Sequence, residues 1–241
     1  MSQNYFNFFL LLIIFCFTGI NTSCKTEETD VIVGAEQVES YYPIIKDKKI
    51  GLVVNNTSLI GEMHLVDFLL SKKINIKAIF APEHGFRGNN EAGEDIKNAL
   101  DPKTGIPIIS LYGEKKKPSD YDLKGIDAII FDIQDVGCRF FTYISTLHYV
   151  MEACASNNIL LIILDRPNPN GDYIDGPVLN IELKSFIGTD PLPIVHGCTI
   201  GELALMINSE GWLNNNLRCR LEIITCKNYN HSIIYSPPVK P

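Results

Sequence analysis

The sequence has no Gly-x-Ser-x-Gly elbow, no Gly-x-x-x-x-Gly-Lys-[Ser/Thr] loop and no Gly-x-Gly-x-x-Gly turn. Motif support for a serine esterase, a nucleoside triphosphatase or a dinucleotide oxidoreductase is therefore missing. None of its seven cysteines stands at Cys-x-x-Cys spacing, and no His-Glu-x-x-His pair occurs, so local zinc and redox motifs are absent too. Charge is missing from the start of the chain: residues 1–23 hold no Lys, Arg, Asp or Glu. The apolar stretch there, Phe6 to Ile20, is shorter than the roughly 20 residues of a typical membrane span and is followed by small and polar residues. It reads as a signal peptide over 1–23. No internal repeat or low-complexity block is found.

What is present suffices for a large core: 241 residues, 46% of them apolar. The net charge of −7 excludes nucleic acid as an unsteered partner. Asn21-Thr22-Ser23-Cys24, followed by the charged run from Lys25 to Asp30, has the form of a bacterial lipoprotein processing site. Cys24 is expected to carry a lipid, with the membrane reached through that anchor alone; plain secretion is the alternative. Residues 24–48 read as a polar tether. Five cysteines remain in the body, Cys138, Cys154, Cys198, Cys219 and Cys226. They allow at most two disulfides with one thiol left over, or a set of buried free thiols.

From Lys49 onward, short apolar runs alternate with longer mixed segments, the pattern of an α/β protein with a parallel sheet. The runs are Ile50–Val54, Ile76–Phe80, Ile106–Leu111, Ala128–Phe131 and Ile159–Leu164, rich enough in Val and Ile to be covered on both faces. Leu59 to Lys72 and Thr142 to Asn157 place apolar residues at helical spacing and predict crossover helices. A further helix from Ile200 to about Asn208 is announced by Thr199 with Glu202 three residues on, a capping-box pattern. Residues 235–241, with Pro237-Pro238, read as the start of a linker.

Ligands of open parallel sheets bind beyond the carboxyl ends of the strands. The residues after the runs are Asn55-Asn56-Thr57, Pro82-Glu83-His84-Gly85-Phe86-Arg87-Gly88, Tyr112-Gly113-Glu114, Asp132-Ile133-Gln134-Asp135-Val136-Gly137-Cys138-Arg139, and Asp165-Arg166-Pro167-Asn168-Pro169-Asn170-Gly171. Carboxylates Glu83, Glu94, Asp132, Asp135 and Asp165 thus share one edge with Arg87, Arg139 and Arg166. If half of these form structural ion pairs, as is common, one or two still remain for work.

Two carboxyl groups suffice to hydrolyse a glycosidic bond, one as proton donor and the other as base or nucleophile. Glu83 and Glu94 are the candidate pair, and burial beside Phe86 would raise the pKa of a donor. The glycines of this loop and the stretch through Glu94 suit a mobile lid or an ordinary surface loop. His84 and His196 could instead join Asp135 or Asp165 at a metal, but their spacing matches no ligand motif, so no metal and no cofactor is assigned. Tyr112, Phe140, Phe141 and Tyr143 offer aromatic faces for a sugar, or belong to the core.

Several of these segments resemble, in order, the NamZ-like exo-β-N-acetylmuramidases of peptidoglycan recycling. The carriers are Ala81–Gly88, Ala92-Gly93-Glu94, Asp132–Tyr143, Asp165–Pro169 and Pro193–Ala204. The resemblance implies a Rossmann-like catalytic domain over 49–234, with most of a smaller C-terminal domain outside this chain and a sugar cleft between the two. It implies removal of N-acetylmuramic acid from the non-reducing ends of peptidoglycan fragments, with an acidic residue in the Glu83–Glu94 loop acting on the glycosidic oxygen. His84, Arg87, Asp135, Arg139, Tyr143, Asp165, Asn168 and His196 are the expected substrate-binding residues. Arg87 or Arg139 is the expected reader of the lactyl carboxylate, which a guanidinium can grip with two hydrogen bonds. A non-catalytic envelope protein binding muropeptides or other anionic glycans is the alternative.

Overall fold

The structure, a computed structural model, describes residues 30–87 and 99–239. The expected signal peptide, Cys24 and Glu94 lie outside the described residues. In chain order the described part comprises α1 (Val38–Ile45), β1 (Lys49–Val54), β2 (Leu59–Ile60), β3 (Met63–His64), α2 (Leu65–Ser71), β4 (Asn75–Ala81), β5 (Ala99–Leu100), β6 (Pro107–Ser110), β7 (Ala128–Asp132), α3 (Tyr143–Ser156), β8 (Leu160–Leu164), α4 (Ile200–Glu210) and β9 (Arg220–Ile224).

Seven strands form one sheet in the order β5-β6-β4-β1-β7-β8-β9. All pairs are parallel except β5 with β6. Counting only the parallel strands along the chain, the order is 3-2-1-4-5-6, the doubly wound arrangement of Rossmann-like sheets. The parallel sheet expected from the alternating apolar runs is present, and each of the five runs supplies a strand.

Side chains alternate across the sheet, so each run feeds two cores. Val53, Phe80, Ile129, Phe131, Leu161 and Ile163 pack on one face with Leu147, Val150 and Met151 of α3 and Leu203 and Ile207 of α4. Ile50, Leu52, Val54, Ile130, Ile162 and Leu164 pack on the other with Tyr41 and Ile45 of α1 and Leu65 and Leu69 of α2. Every residue of β7 is buried.

Three expectations need correction. The segment read as a polar tether folds from Val33 onward. Gly34 N donates to Asp165 O at 2.8 Å, Gln37 Nε2 donates to Thr225 O at 2.6 Å, and the Tyr41 hydroxyl donates to Ala35 O at 2.8 Å. Tyr41 and Ile45 are among the largest fully buried side chains. Two apolar anchors one helical turn apart outweigh the polar average of the segment.

The helix expected from Leu59 is shorter. A two-strand hairpin, β2 and β3, precedes it, and α2 starts only after His64, whose Nδ1 accepts the Val66 amide at 3.2 Å as N-cap. Finally, β9 was not expected: its burial alternates, and Arg220 and Glu222 break its apolar run at the sheet edge. The helices Tyr143–Ser156 and Ile200–Glu210 lie where the spacing predicts them, and Thr199 and Glu202 form the expected capping box. All five body cysteines are free thiols.

Candidate active site

Crossovers leave β1 and β7 in opposite directions, since β4 pairs with the far side of β1 and β8 with the far side of β7. The crevice between their carboxyl ends is therefore the switch point at which such sheets bind ligands. The exits of the two strands are joined there. Asn55 Oδ1 accepts the Thr57 hydroxyl at 2.6 Å and its amide at 3.0 Å, while Thr57 Oγ1 accepts the Gln134 amide at 2.9 Å. The Asn55 Nδ2, though buried, has no hydrogen-bond partner among the described residues.

Glu83 follows β4. Gly85 N donates to Pro82 O at 3.0 Å, closing a tight turn, and His84 within it has φ 68°, a left-handed conformation that suits Gly or Asn better. Such a backbone costs about 1 kcal/mol or more and survives only where its surroundings hold it. The turn directs the half-buried Glu83 to the start of α3, where the Thr142 hydroxyl donates to Glu83 Oε2 at 2.7 Å. A cavity of about 210 Å³ opens there, lined by Glu83, His84, Phe140, Phe141, Thr142 and Tyr143. Phe140 and Phe141 are 53% and 37% exposed, so at these positions the phenylalanines are not core. Tyr143 is buried. Burial pushes its hydroxyl up to about 12, against a contrary pull from the Asn55 side chain, and the charges of Glu83 and Asp135 add to the rise.

Several expected substrate-binding residues are engaged by the protein itself. Arg87 commits its guanidinium to Asp101, with Nη2 to Oδ2 at 3.1 Å and Nε to Oδ1 at 3.4 Å, and Asp67 stands 3.6 Å away. It ties the Glu83 loop to the Asp101 turn, a structural role that the sequence did not reveal because Asp101 follows none of the five apolar runs. Phe86 lies beneath that guanidinium, 4.4 Å from ring centre to Cζ, and meets His64 edge-on, so its ring is a core element. Asp132 and Arg166 form a buried two-pronged pair at 2.6 and 3.0 Å, and Arg166 Nη2 also donates to Leu59 O at 2.9 Å.

Asp165 holds the start of α4, accepting Gly201 N at 2.8 Å, the Thr199 hydroxyl at 2.7 Å and Arg166 N at 3.0 Å. Burial pushes its pKa from 3.8 up to about 6 despite these donors. Gly201 is required there, because a Cβ would come within 2.8 Å of the Asp165 carboxyl carbon. Asn168 is likewise turned inward, donating to Cys198 O at 2.9 Å and accepting Asn170 N at 2.8 Å. It packs so tightly on Gly137 that a Cβ on that residue, which has φ +79°, would lie 2.2 Å from Asn168 Oδ1.

Asp135 and His196 are brought together. His196 Nε2 lies 3.4 Å from Asp135 Oδ2, His196 Nδ1 accepts Cys198 N at 3.2 Å, and Asp135 Oδ2 accepts Gly137 N at 2.8 Å. With Nδ1 accepting from the backbone, Nε2 is the ring nitrogen that faces the carboxylate. Asp135 Oδ1 is buried without a partner among the described residues. Arg139 donates through Nη1 to Pro177 O at 3.0 Å and to Leu192 O, and forms no ion pair among the described residues.

A second, larger cavity of about 610 Å³ lies beside His196, with Tyr173, Ile174, Glu202, Met206 and His231 in its wall. Glu202 Oε1 and His231 Nε2 meet across it at 2.9 Å. Among the described residues no three His, Cys, Asp or Glu side chains gather into a metal-binding set. Chemically, the first cavity offers one oriented carboxylate beside two exposed aromatic faces. Thr142 and Asn55 belong to this arrangement and were not singled out in the sequence. Thr142 had as signals its place at the start of a predicted helix and within the family-like segment Asp132–Tyr143, and Asn55 its place directly after the first strand.

Known proteins resemble this chain in sequence and in fold. The family model described as exo-beta-N-acetylmuramidase NamZ, N-terminal, matches residues 50–241. A protein of Bacillus subtilis (strain 168), peptidoglycan beta-N-acetylmuramidase NamZ, is 49% identical over 176 residues, which is 70% of this chain and 42% of that protein. Two solved structures of DUF1343 family proteins from Bacteroides fragilis NCTC 9343 superpose with TM-scores of 0.79 and 0.78, at 50% and 39% identity. They cover 87% and 84% of this chain, which spans 56% and 52% of theirs. The chain thus spans about half the length, or less, of these relatives. With four-fifths of its length matched by one family model and half its aligned residues shared with a named member, the chain belongs to the NamZ exo-β-N-acetylmuramidase family.

Proposed function

We propose that this chain is the Rossmann-like part of an exo-acting glycoside hydrolase that removes N-acetylmuramic acid from the non-reducing ends of peptidoglycan fragments. The observation that carries the reading is Glu83, held by Thr142 at the mouth of a cavity walled by exposed Phe140 and Phe141. A carboxyl group next to aromatic faces suits one half of glycoside hydrolysis: the rings stack on the sugar, and the carboxyl transfers a proton or supports the charge at the breaking bond while a second carboxyl completes the pair. Glu94 is the proposed second carboxyl group. His84 lines the same cavity and is suited to hydrogen-bond the sugar.

Of the two arginines considered for the lactyl carboxylate, Arg139 is favoured. Arg87 is already paired with Asp101, whereas Arg139 is held by backbone carbonyls and keeps its charge unmatched among the described residues. Asp135, Asp165, Asn168 and His196 act in this reading by fixing the loops that carry the site. We also propose export and attachment through a lipid on Cys24; replacing Cys24 by Ser would then move the protein from the membrane fraction to the soluble one.

The test is the full-length protein with 4-nitrophenyl β-N-acetylmuramide and the corresponding N-acetylglucosaminide. Release of 4-nitrophenol from the first alone is expected. Cleavage of the second instead would overturn the substrate. Binding of muropeptide in calorimetry with no turnover of either would replace the hydrolase by a binding protein.

A further inference from the structure

We propose that Thr142 is a positioning residue whose hydroxyl aims the Glu83 carboxylate, having been released from helix capping to do so. The inference rests on Glu83 being the acting carboxylate. Two threonines stand at the N-caps of the longest described helices, and they behave differently. Thr199 has φ −74° and ψ 168°, the extended backbone usual for an N-cap, and its hydroxyl accepts the Glu202 amide at 3.2 Å. Thr142 has φ −76° and ψ −9°, already helical, and makes no side-chain cap bond. Its hydroxyl instead donates to Glu83 Oε2 at 2.7 Å, across 59 residues of sequence. An unused cap forgoes stabilisation that typical N-caps provide, so the diversion calls for a reason.

The local geometry suits a fixed aim. Thr142 is only 8% exposed, and a β-branched side chain has few χ1 choices, so the hydroxyl direction is set by packing. From the other side, Glu83 projects from the tight turn in which His84 is left-handed. The carboxylate is thereby fixed at two points, its own backbone and Oε2. Oε1 accepts no hydrogen bond from the described residues and is left for the substrate. Phe141 and Tyr143, the neighbours of Thr142, line the same cavity, so the first turn of α3 is its wall. A carboxylate turned about its last bonds by even 1 Å loses much of its rate advantage.

The experiment uses the full-length protein and compares Thr142→Val, Thr142→Ser, Thr142→Ala and Glu83→Gln for kcat, KM and melting temperature. Valine keeps the shape and removes the hydroxyl; a fall in kcat of about 10- to 100-fold is expected by the cost of misplacement, with KM within about twofold. Serine is expected to restore most of kcat, because it returns the donor. Should valine fail to fold, the serine–alanine pair makes the same comparison. Wild-type kcat without the hydroxyl, while Glu83→Gln is inactive, overturns the role of Thr142 and leaves that of Glu83 standing. An active Glu83→Gln removes the foundation of both. Loss of melting temperature in step with kcat, in valine and alanine alike, would show a structural bond only and also overturns the proposal.

Discussion

Asp132 stands at the switch point and would attract anyone seeking a catalytic acid there, but the geometry makes it structural. Its two oxygens take the Nε and Nη2 of Arg166 at 2.6 and 3.0 Å, and neither residue reaches solvent to any useful extent. Replacing Asp132 by Ala leaves a guanidinium buried with only the Leu59 carbonyl for company. Breaking a buried pair from one side costs about 3–5 kcal/mol. For a domain of this size each kcal/mol lowers the melting temperature by about 2–4 °C, so a fall of about 6–20 °C is expected. The double variant Asp132→Ala with Arg166→Met removes the stranded charge and should recover a large part of the loss. Thermal melts followed by circular dichroism at neutral pH give both numbers. An Asp132→Ala protein that melts like wild type yet has lost turnover would refute the structural assignment and return Asp132 to the mechanism.

Tyr41→Ala, in a segment whose composition suggests a tether, should destabilise by about 3–5 kcal/mol, as for a large aromatic removed from a core; a silent substitution in urea titration would restore the tether. Asp165, raised from 3.8 to about 6 by burial, stabilises the fold fully below its unfolded pKa and loses that contribution as pH rises through 6. Wild type should thus lose up to about 3 kcal/mol between pH 4 and pH 7.5 that Asp165→Asn does not lose, and parallel urea midpoints for the two proteins would contradict it. Phe141→Ala should raise KM several-fold in the full-length enzyme with a smaller change in kcat, as expected when about 1–2 kcal/mol of stacking is removed; an unchanged KM would detach the aromatic pair from the sugar.

The sheet was legible because its strands are apolar on both faces: Ile50–Val54 and Ala128–Phe131 admit few other readings once helices intervene. Strand order was not legible, since the 3-2-1-4-5-6 arrangement is set by which helices cover which face, and short runs carry no such label. Residues 33–45 were misread because averaging over a polar segment hides Tyr41 and Ile45, whose burial depends on a groove made by distant strands. The site divides in the same manner. The place of Glu83 after β4 was legible, whereas the engagement of Arg87 and Asp165 by the protein itself was not. Each has partners, Asp101 for one and Thr199 and Gly201 for the other, that only folding brings near.

Glu83 is the carboxylate to which the chemistry is assigned. Its direct test is Glu83→Gln in the full-length protein, with release of N-acetylmuramic acid from a peptidoglycan fragment measured beside the melting temperature. Glutamine keeps the shape and the bond from Thr142, so the account predicts turnover lowered by about 1,000-fold or more with a melting temperature within a few degrees of wild type. Turnover near the wild-type rate in a folded Glu83→Gln protein would contradict it.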